Sequence, residues 1–425
     1  MTASAMLTPR RRGACPGLSA PMPTGDGLLV RLQPTGIISL EAFLALCAAA
    51  RRDGSGIMEV TARGSIQIRG LNAESAPRFA DTVAALGVAA ANGVSVLASP
   101  LAGLDPAEIL DAGALAADIR RAAARAELAA RLAPKVSVVV DGGGALDLDG
   151  IAADVRLRAD RAVVFSVSVG GDGATAAQLG AVALIDGIEA VIRLLEVIAR
   201  HGRTARARDI LATEGVAAFR LALAELLTAE ALLPNARRPS DPIRTHRLRD
   251  GSLACGIGLA FGHADAVALR RLAAAAAAAG AKGIGTASRT LLIVGLADRT
   301  IPAFVRDAAH LGFAVDADDP RRRVIACAGA PVCASGHFAT RALAPAIADG
   351  LTASPDTTLI HISGCAKGCA HSGKASLTVV GTPAGCALVF DGSVRDAPFA
   401  TVTADDLPAA VARYTRERSS EDSHV

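Results

Sequence analysis

An internal repeat at an offset of 225 residues constrains the fold of this chain more than any other feature of its sequence. Residues 61–87 read TARGSIQIRGLNAESAPRFADTVAALG, and residues 286–312 read TASRTLLIVGLADRTIPAFVRDAAHLG. Ten of the 27 aligned positions are identical without a gap, and they include a glycine, a proline and a phenylalanine. An alanine-rich composition would not keep these three residue types in register, so the repeat indicates two copies of one structural unit.

Each copy shows the same order of predicted elements: a strand, an Ala/Leu-rich helix, an alternating strand and a helix with a proline in its first turn. The first three segments are predicted at 27–32, 40–51 and 65–69 in the first copy, and at 253–259, 264–279 and 290–294 in the second. Further strand-like runs follow each copy, at 135–140 and 163–169, and at 358–362 and 377–380. This alternation of strands and helices favours an α/β fold.

Charge and composition exclude several classes of protein. The chain has 44 basic and 41 acidic residues, and only 3% of its residues are aromatic, which argues against nucleic-acid binding by phosphate neutralisation or base stacking. No uncharged apolar run reaches the roughly 20 residues of a membrane-spanning helix. The arginines at 10–12 precede residues 14–17, which cannot form the apolar core of an export signal, so we expect a cytoplasmic location. An organellar transit peptide stays open, because no acidic residue precedes Asp26.

Four of the eight cysteines fall into two closely spaced pairs. Cys327 and Cys333 are separated by five residues, Cys365 and Cys369 by three, and 31 residues lie between the pairs. These spacings differ from the C-x2-C turns of structural zinc sites and suit a [4Fe-4S] cluster, in which each thiolate binds its own iron. Small residues around both pairs would let backbone amides approach the cluster sulfides. A zinc site and a set of buried, unligated thiols are the alternatives.

Several weaker signals have ordinary structural interpretations. The remaining cysteines have no such pairing: Cys15, Cys47, Cys255 and Cys386. Of these, Cys47 lies in an apolar helix and is predicted to be part of the core. The motif Asp141-Gly-Gly-Gly144 lacks the spacing of a dinucleotide site, so we predict a loop that faces the functional site. The basic stretch 234–249 is predicted to be a solvated linker, with attraction of an acidic donor protein or substrate as the alternative.

Three stretches, together with the repeat and the cysteine spacing, resemble the sulfite/nitrite reductase superfamily and, within it, the precorrin-3B synthase family. The stretches are RGACPGLSAPMPTGDGLLVRL at 12–32, ASPLAGLD at 98–105 and DGSLACGIGLAFG at 250–262. The resemblance covers residues 14–415 and implies an α/β (α+β) fold of duplicated sulfite/nitrite reductase-like halves with pseudo-twofold symmetry. It also implies ferredoxin-like half-repeats at 14–90 and 250–313, a first α/β domain at 91–233, a linker at 234–249 and a [4Fe-4S]-binding domain at 318–418.

The resemblance assigns four basic positions around the substrate anion of sirohaem reductases, and this chain keeps two of them. Arg31 matches the first position and Lys135 the third. The second falls at Val94-Ser95, where no arginine is present, and Ser137 replaces the lysine of the fourth. Because each lost ion contact removes about 2 to 4 kcal/mol of electrostatic stabilisation, reduction of a small oxyanion is disfavoured.

The positions that hold the macrocycle in this superfamily are retained. Arg63 and Gln67 fall at such positions, and Arg69 lies on the same strand face, where it would add a bidentate contact to a carboxylate. The resemblance therefore implies a monooxygenase of aerobic cobalamin (vitamin B12) biosynthesis, which hydroxylates precorrin-3A at C20 with O2 and forms a γ-lactone. A sirohaem-dependent sulfite or nitrite reductase and a non-catalytic iron-sulfur electron carrier are the alternatives.

Cofactors and partners follow from the same resemblance. Besides the [4Fe-4S] cluster on the four paired cysteines, it implies a mononuclear non-haem iron, whereas sirohaem belongs only to the reductase alternative. His337, His361 and His371 lie near the cysteine pairs in sequence, but no two-His-one-carboxylate pattern is visible. Since the chain has no dinucleotide fingerprint, we expect an external electron donor, a partner reductase. The expected partners are precorrin-3A, O2 and that donor, with no nucleic acid and no membrane.

Overall fold

The computed structural model describes residues 16–88, 90, 93–161, 164–229, 241–351, 358–371 and 373–421. Within these residues the chain forms four five-stranded sheets with helices packed on them, as expected for an α/β fold. Cys15, the arginines at 10–12 and residues 234–240 of the predicted linker lie outside this part. None of the described helices combines the length and the apolar character that a membrane span requires.

The first copy of the repeat forms five strands and two helices: β1 Met22–Thr24, β2 Gly27–Leu32, β3 Ile38–Ser39, α1 Leu40–Asp53, β4 Ile57–Val60, β5 Ile66–Leu71 and α2 Ser75–Ala85. Helix α1 begins after Ser39, whose hydroxyl caps it by accepting a hydrogen bond from the Ala42 amide at 3.1 Å. The helix buries Phe43, Leu46 and Cys47 in a core shared with β2 and β5. Cys47 therefore lies in the core, as the sequence predicts.

The segment that follows forms a mixed sheet with helices: β6 Ser95–Ala98, α3 Ala112–Arg125, α4 Leu128–Arg131, β7 Ser137–Asp141, β8 Ala153–Arg161, β9 Val164–Gly171, β10 Ala177–Ala183, α5 Gly187–Arg200, α6 Ala207–Glu214 and α7 Ala217–Ala222. Strands β6, β7 and β8 are parallel, and β9 and β10 add antiparallel. Helix α5 packs Leu194, Leu195 and Ile198 into the core of this sheet.

The second copy of the repeat forms the equivalent set of elements: β11 Thr245–Arg247, β12 Leu253–Gly258, β13 His263–Asp265, α8 Ala266–Ala278, β14 Gly283–Ala287, β15 Thr290–Leu296 and α9 Ile301–His310. Strand β11 lies inside the predicted linker 234–249, and it pairs antiparallel with β12. In the same stretch the Gly256 amide donates to the Arg244 carbonyl at 3.0 Å, and His246 is buried. The backbone of the described part, 241–249, is therefore hydrogen-bonded to the sheet of the second half, while the side chains of Arg244, Arg247 and Arg249 are exposed.

The last segment forms the fourth sheet: β16 Val324–Ala326, α10 Thr340–Asp349, β17 Ile360–Ser363, β18 Ala375–Thr382, β19 Gly385–Gly392, β20 Ala400–Val402 and α11 Leu407–Glu421. Strands β16, β17 and β18 are parallel, and β19 and β20 add antiparallel, in the same order as β6 to β10. The duplication therefore extends from the 27 aligned residues to both sheets of each half.

The two copies of the repeat exchange short strands. Strand β13 of the second copy pairs with β4 and completes the first sheet, in the order β1-β2-β5-β4-β13. Strand β3 of the first copy pairs with β14 and completes the third sheet, in the order β11-β12-β15-β14-β3. Ile38 and His263, which begin the exchanged strands, are separated by the repeat offset of 225 residues. The halves are thus interlocked about a pseudo-twofold axis, and their helices share one core.

The turns of the β4-β5 and β14-β15 hairpins also contact each other reciprocally. The Arg289 amide donates to the Thr61 carbonyl at 3.2 Å, and the Thr286 hydroxyl donates to the Gly64 carbonyl at 2.6 Å. Thr61 and Thr286 are equivalent positions of the repeat, as are Gly64 and Arg289, so equivalent pairs of residues are in contact in both directions, although through different atoms. The turn requires a left-handed backbone at this position in both copies, with φ of 70° at Gly64 and 51° at Arg289.

Candidate functional site

The four paired cysteines lie on two loops at one edge of the fourth sheet. Cys327 follows β16 directly, and Cys365 follows β17 after one glycine. Because β16 and β17 are parallel neighbours, their carboxyl ends share an edge and the two loops meet there. The Cys327 amide donates to the Ile362 carbonyl at 3.1 Å, and the His337 amide donates to the Gly364 carbonyl at 2.8 Å. The topology therefore brings both cysteine pairs together.

The four thiols lie within electrostatic reach of one another. Burial raises the pKa of the Cys369 thiol, and the other three paired cysteines, Cys327 and Cys365 most strongly, raise it further. A thiol can respond in this way only to groups within electrostatic reach. The side chains of the two loops are also tied together, since Lys367 Nζ donates to Ser335 Oγ at 2.8 Å.

The surroundings of these thiols fit a [4Fe-4S] cluster better than a single zinc ion. In the described chain no group of three or more His, Cys, Asp or Glu side chains is arranged to hold a single ion, and a [4Fe-4S] cluster does not require this, because each thiolate binds its own iron. The Gly364 amide donates to Cys327 Sγ at 3.1 Å, the contact that stabilises a thiolate ligand. A Cβ on Gly364 would lie 3.2 Å from the Gly329 Cα and 3.3 Å from the Gly336 Cα, so small residues let the loop backbones close around the thiols.

A row of polar side chains crosses the first sheet on the face opposite its helices. The strand register aligns Arg31 of β2, Gln67 of β5, Glu59 of β4 and His263 of β13. With its amide oriented by this network, Gln67 accepts through its oxygen from Arg31 Nη2 at 2.6 Å and Nε at 3.0 Å, and its nitrogen donates to Glu59 Oε2 at 3.1 Å. Ile68, the strand neighbour of Gln67, points into the helix-covered core. The row therefore faces the remainder of the molecule.

Arg69 extends this row towards the cysteines. Its Nε lies 3.0 Å from Asp26 Oδ2 and 3.9 Å from Glu59 Oε1. Burial disfavours the charged form, but Glu59 and Asp26 outweigh it, so the pKa of Arg69 is raised above its usual range. The positive charge of Arg69 in turn acts to lower the pKa of Cys369. Glu59 also pairs with Arg341 of α10, the helix that follows the first cysteine loop. The row and the cysteine loops are thus neighbours in space.

Known proteins match this chain over most of its length. Residues 20–86 match the family described as the nitrite/sulfite reductase ferredoxin-like half domain. A precorrin-3B synthase from Sinorhizobium sp is 38% identical over 412 residues, which cover 96% of this chain and 88% of that protein. The chain belongs to the precorrin-3B synthase family. This confirms the resemblance expected from the sequence.

Two further proteins are similar to this precorrin-3B synthase family member, one in sequence and one in structure. A ferredoxin–nitrite reductase from Synechococcus elongatus is 24% identical over 444 residues, which cover 93% of this chain and 87% of the reductase. The structure of the Mycobacterium tuberculosis NirA protein superposes with a TM-score of 0.74 at 22% sequence identity, and the match covers 92% of this chain and 80% of that one. The duplicated sulfite/nitrite reductase-like fold expected from the sequence is confirmed.

The other two predicted substrate residues lie on different elements of this precorrin-3B synthase family member. Arg63 is at the turn of the β4-β5 hairpin, and its Nη2 donates to the Ala152 carbonyl at 2.6 Å. Ala152 precedes β8, so Arg63 reaches from the first sheet to the second. Lys135 is exposed and lies two residues before β7. The structure thus joins Arg31, Gln67 and Arg69 through Glu59, and it places Arg63 and Lys135 beside the second sheet.

The two positions where a cation is missing are neighbours in the second sheet. Ser95 is the register partner of Ser137 on the parallel strands β6 and β7. Ser137 is fully buried, and its amide donates to Asp154 Oδ2 at 2.9 Å, while Val94 is only 8% exposed. Asp154 is itself held by Arg206 at 2.8 Å. Val94 and Ser137 are therefore buried at the beginning of β6 and β7 and supply no positive charge.

The histidines near the cysteine loops form a pair without a carboxylate. His361 on β17 is fully buried, and among the described residues neither of its ring nitrogens has a hydrogen-bond partner. Burial, with smaller contributions from His371 and Arg289, lowers its pKa to about 3. The His371 ring lies 5.6 Å from that of His361, and its Nε2 lies 3.0 Å from the Lys374 carbonyl oxygen. Because no third ligand joins the pair in the described chain, these residues do not fit a mononuclear iron.

Sequence reasoning missed two residues of the row, Glu59 and His263, and two that form ion pairs with it, Asp26 and Arg341. Glu59 offered a signal, since it is a carboxylate in the otherwise apolar strand β4. Asp26, His263 and Arg341 offered none, because they come from separate segments that only the tertiary structure brings together. Burial lowers the pKa of His263 to about 4, and nearby Arg341 contributes in the same direction.

Proposed function

We propose that this protein converts precorrin-3A to precorrin-3B, hydroxylating C20 with O2 while a γ-lactone forms from the ring A acetate. In such a monooxygenase reaction one oxygen atom enters the product, and two electrons and two protons reduce the other to water. The observation that carries the proposal is the 38% identity to a precorrin-3B synthase over 96% of this chain. The polar row of the first sheet and the missing cations of the second support it.

The substrate is a polycarboxylate, and in this proposal the basic side chains at the first and second sheets bind it. Arg31 and Arg63 are only partly buried, and a guanidinium has five N–H donors, so a substrate carboxylate can share each of them with the protein acceptors. Lys135 is exposed and adds a point charge. Arg69 already pairs with Asp26 and Glu59, so we assign it to hold the row in place beside the cysteine loops.

In this proposal Cys327, Cys333, Cys365 and Cys369 bind a [4Fe-4S] cluster. When bound, the cluster supplies electrons to the reaction, and an external reductase replenishes them. The Gly364 amide stabilises the Cys327 thiolate by a hydrogen bond, and Arg69 stabilises that of Cys369 through its charge. These contacts hold the negative charge of the thiolates next to the substrate face.

The reductase alternative is less well supported by the same site. Reduction of sulfite or nitrite requires cations that stabilise a small oxyanion in the transition state. At two of the four expected positions the chain has Val94 and Ser137, which are buried and uncharged. A pure electron carrier is less well supported because it would not need the row formed by Arg31, Gln67 and Glu59.

The proposal is tested on anaerobically purified protein supplied with a reductant. We expect the absorption spectrum to show a broad iron-sulfur shoulder that bleaches with dithionite, and precorrin-3A to be consumed only when O2 is added. Sulfite and nitrite serve as comparison substrates under the same conditions and should not be turned over. Sharp isobacteriochlorin bands together with sulfite or nitrite reduction would overturn the proposal in favour of the reductase.

A further inference from the structure

A cavity of about 220 Å³ lies between the second half-repeat and the fourth sheet. Its wall contains three arginines and three hydroxyl side chains: Arg289, Arg322, Arg323, Ser288, Thr290 and Thr358. Within the described part of the chain no acidic side chain lines it. Arg322 is paired from outside the cavity with Asp241, whose carboxylate oxygens lie 2.8 and 2.9 Å from its Nη2. The wall is therefore positively charged, and the proposed function leaves it without a role.

The duplication makes this cavity the counterpart of the region where the first half carries its proposed substrate residues. The repeat offset makes Ser288 equivalent to Arg63. Thr358 and Lys135 each lie two residues before equivalent strands, β17 and β7, and Arg323 and Val94 each lie one residue before β16 and β6. The second half thus has an arginine where the first half has lost one. Conversely, where the first half has Arg63 and Lys135, the second half has the hydroxyl residues Ser288 and Thr358.

Arg289 differs from the other residues of this wall in its left-handed backbone and in the lowered pKa of its guanidinium. It is held at a φ of 51°, a conformation that side chains larger than glycine rarely adopt, and the first copy has Gly64 at the same position. Burial lowers the pKa of its guanidinium to about 10, and no carboxylate among the described residues offsets that effect. A partly buried cation on a strained backbone, without a nearby carboxylate in the described chain, is unfavourable, and an anion in the cavity would supply the opposing charge.

We propose that this cavity binds a small anion carrying a carboxylate or phosphate group. The guanidinium of Arg289 and that of Arg323 supply charge-assisted N–H donors, and the hydroxyl of Ser288 can donate a further hydrogen bond. The volume is below the roughly 300–1,000 Å³ of pockets for drug-sized ligands, so a complete tetrapyrrole is excluded and a small anion is not. The site is built from the second half-repeat and the fourth sheet, whereas the proposed substrate residues lie on or beside the first and second sheets.

Calorimetric titration of the full-length, cluster-containing protein tests this proposal. Inorganic phosphate and succinate are the probes, and succinamide is the uncharged comparison. The probe that gives saturable binding shows whether the site takes a phosphate or a carboxylate. The variant Arg289→Gly removes the guanidinium and introduces the residue that the first copy has at this left-handed position, so it should fold. Arg299→Ala removes an exposed arginine of the same half-repeat and is the control for the change in net charge.

The native protein and Arg299→Ala should bind phosphate or succinate saturably with one site per chain, and succinamide should not bind. Arg289→Gly should bind the same anion at least tenfold more weakly. Should Arg289→Gly not fold, Arg323→Gln replaces it with the same expectation. Absence of saturable binding by the native protein, or equal affinity in Arg289→Gly and Arg299→Ala, would overturn the proposal. The titration contains no tetrapyrrole, so its outcome is independent of the proposed function.

Discussion

Glu59 of β4 forms an ion pair with Arg341 of α10, 282 residues further along the chain. The same carboxylate accepts a hydrogen bond from the Gln67 amide. Because α10 follows the loop that carries Cys327 and Cys333, one side chain connects the proposed substrate face to the proposed cluster site. The ion pair therefore holds the polar row of the first sheet beside the cysteine loops.

Removing this carboxylate should destabilise the whole unit. Glu59→Gln leaves Arg341 and Arg69 mostly buried with less opposing charge, so we expect a loss of about 2 kcal/mol in the free energy of unfolding. Urea denaturation of Glu59→Gln, Arg341→Gln and the double variant measures the coupling between the two residues. Strictly additive losses would show that the ion pair does not stabilise the protein.

Arg63→Ala should weaken tetrapyrrole binding and leave the cluster unchanged. The loss of one charge-assisted contact to a carboxylate is expected to reduce affinity at least tenfold, since such contacts contribute about 1.5 to 3 kcal/mol. Fluorescence or absorption titration with precorrin-3A gives the affinity, and iron analysis gives the cluster content. Arg121→Ala, which changes an exposed arginine of α3, is the matched control. Unchanged affinity in Arg63→Ala would exclude its proposed role.

Cys369→Ser should lose cluster iron, because a hydroxyl is a poor replacement for a thiolate ligand. Cys255→Ser is the control, since Cys255 is buried in the core and burial raises its pKa to about 11. We expect iron and acid-labile sulfide to fall in the first variant and to remain in the second. If Cys369→Ser retained both its iron and its activity, the assignment of the cluster ligands would be wrong.

Protonation of His263 should lower the free energy of unfolding in mild acid. The pKa of this histidine is about 4 in the folded protein, against about 6.5 for an exposed histidine, so between these values the unfolded chain binds more protons. The stabilisation is complete above pH 6.5 and is lost as the pH falls towards 4. Between pH 6.5 and 4.5 the native protein should lose up to about 2 kcal/mol more than His263→Gln. Urea denaturation at both pH values checks this, with His310→Gln, an exposed histidine, expected to behave like the native protein.

The sequence predicted the parts of the site that depend on local periodicity. Alternation along β5 places Gln67 and Arg69 on one face, and the repeat predicts equivalent strands and helices in both halves. It could not predict that Arg69 is already neutralised by Asp26 and Glu59, because that requires the strand register. The exchange of β3 and β13, and with it the position of His263 beside Glu59, is also a property of the tertiary structure alone.

The cavity lined by Arg289, Arg322 and Arg323 could not be predicted from the sequence for a related reason. Arg289 and Arg323 are far apart along the chain and gain a common role only where the second half-repeat meets the fourth sheet. The same holds for the stretch 241–249, whose basic composition is typical of an exposed linker. Its pairing with β12 is decided by backbone hydrogen bonds that composition does not encode.

Mass spectrometry of the product formed under ¹⁸O₂ tests most directly whether this protein is a precorrin-3A monooxygenase. The reaction contains the cluster-loaded protein, precorrin-3A and a reductant, and Cys369→Ser is the control without electron supply. We predict a product heavier than precorrin-3A by one labelled oxygen atom, formed by the native protein and not by the variant. An unchanged mass in the presence of an intact cluster, or an oxygen atom derived from water, would contradict the proposed function.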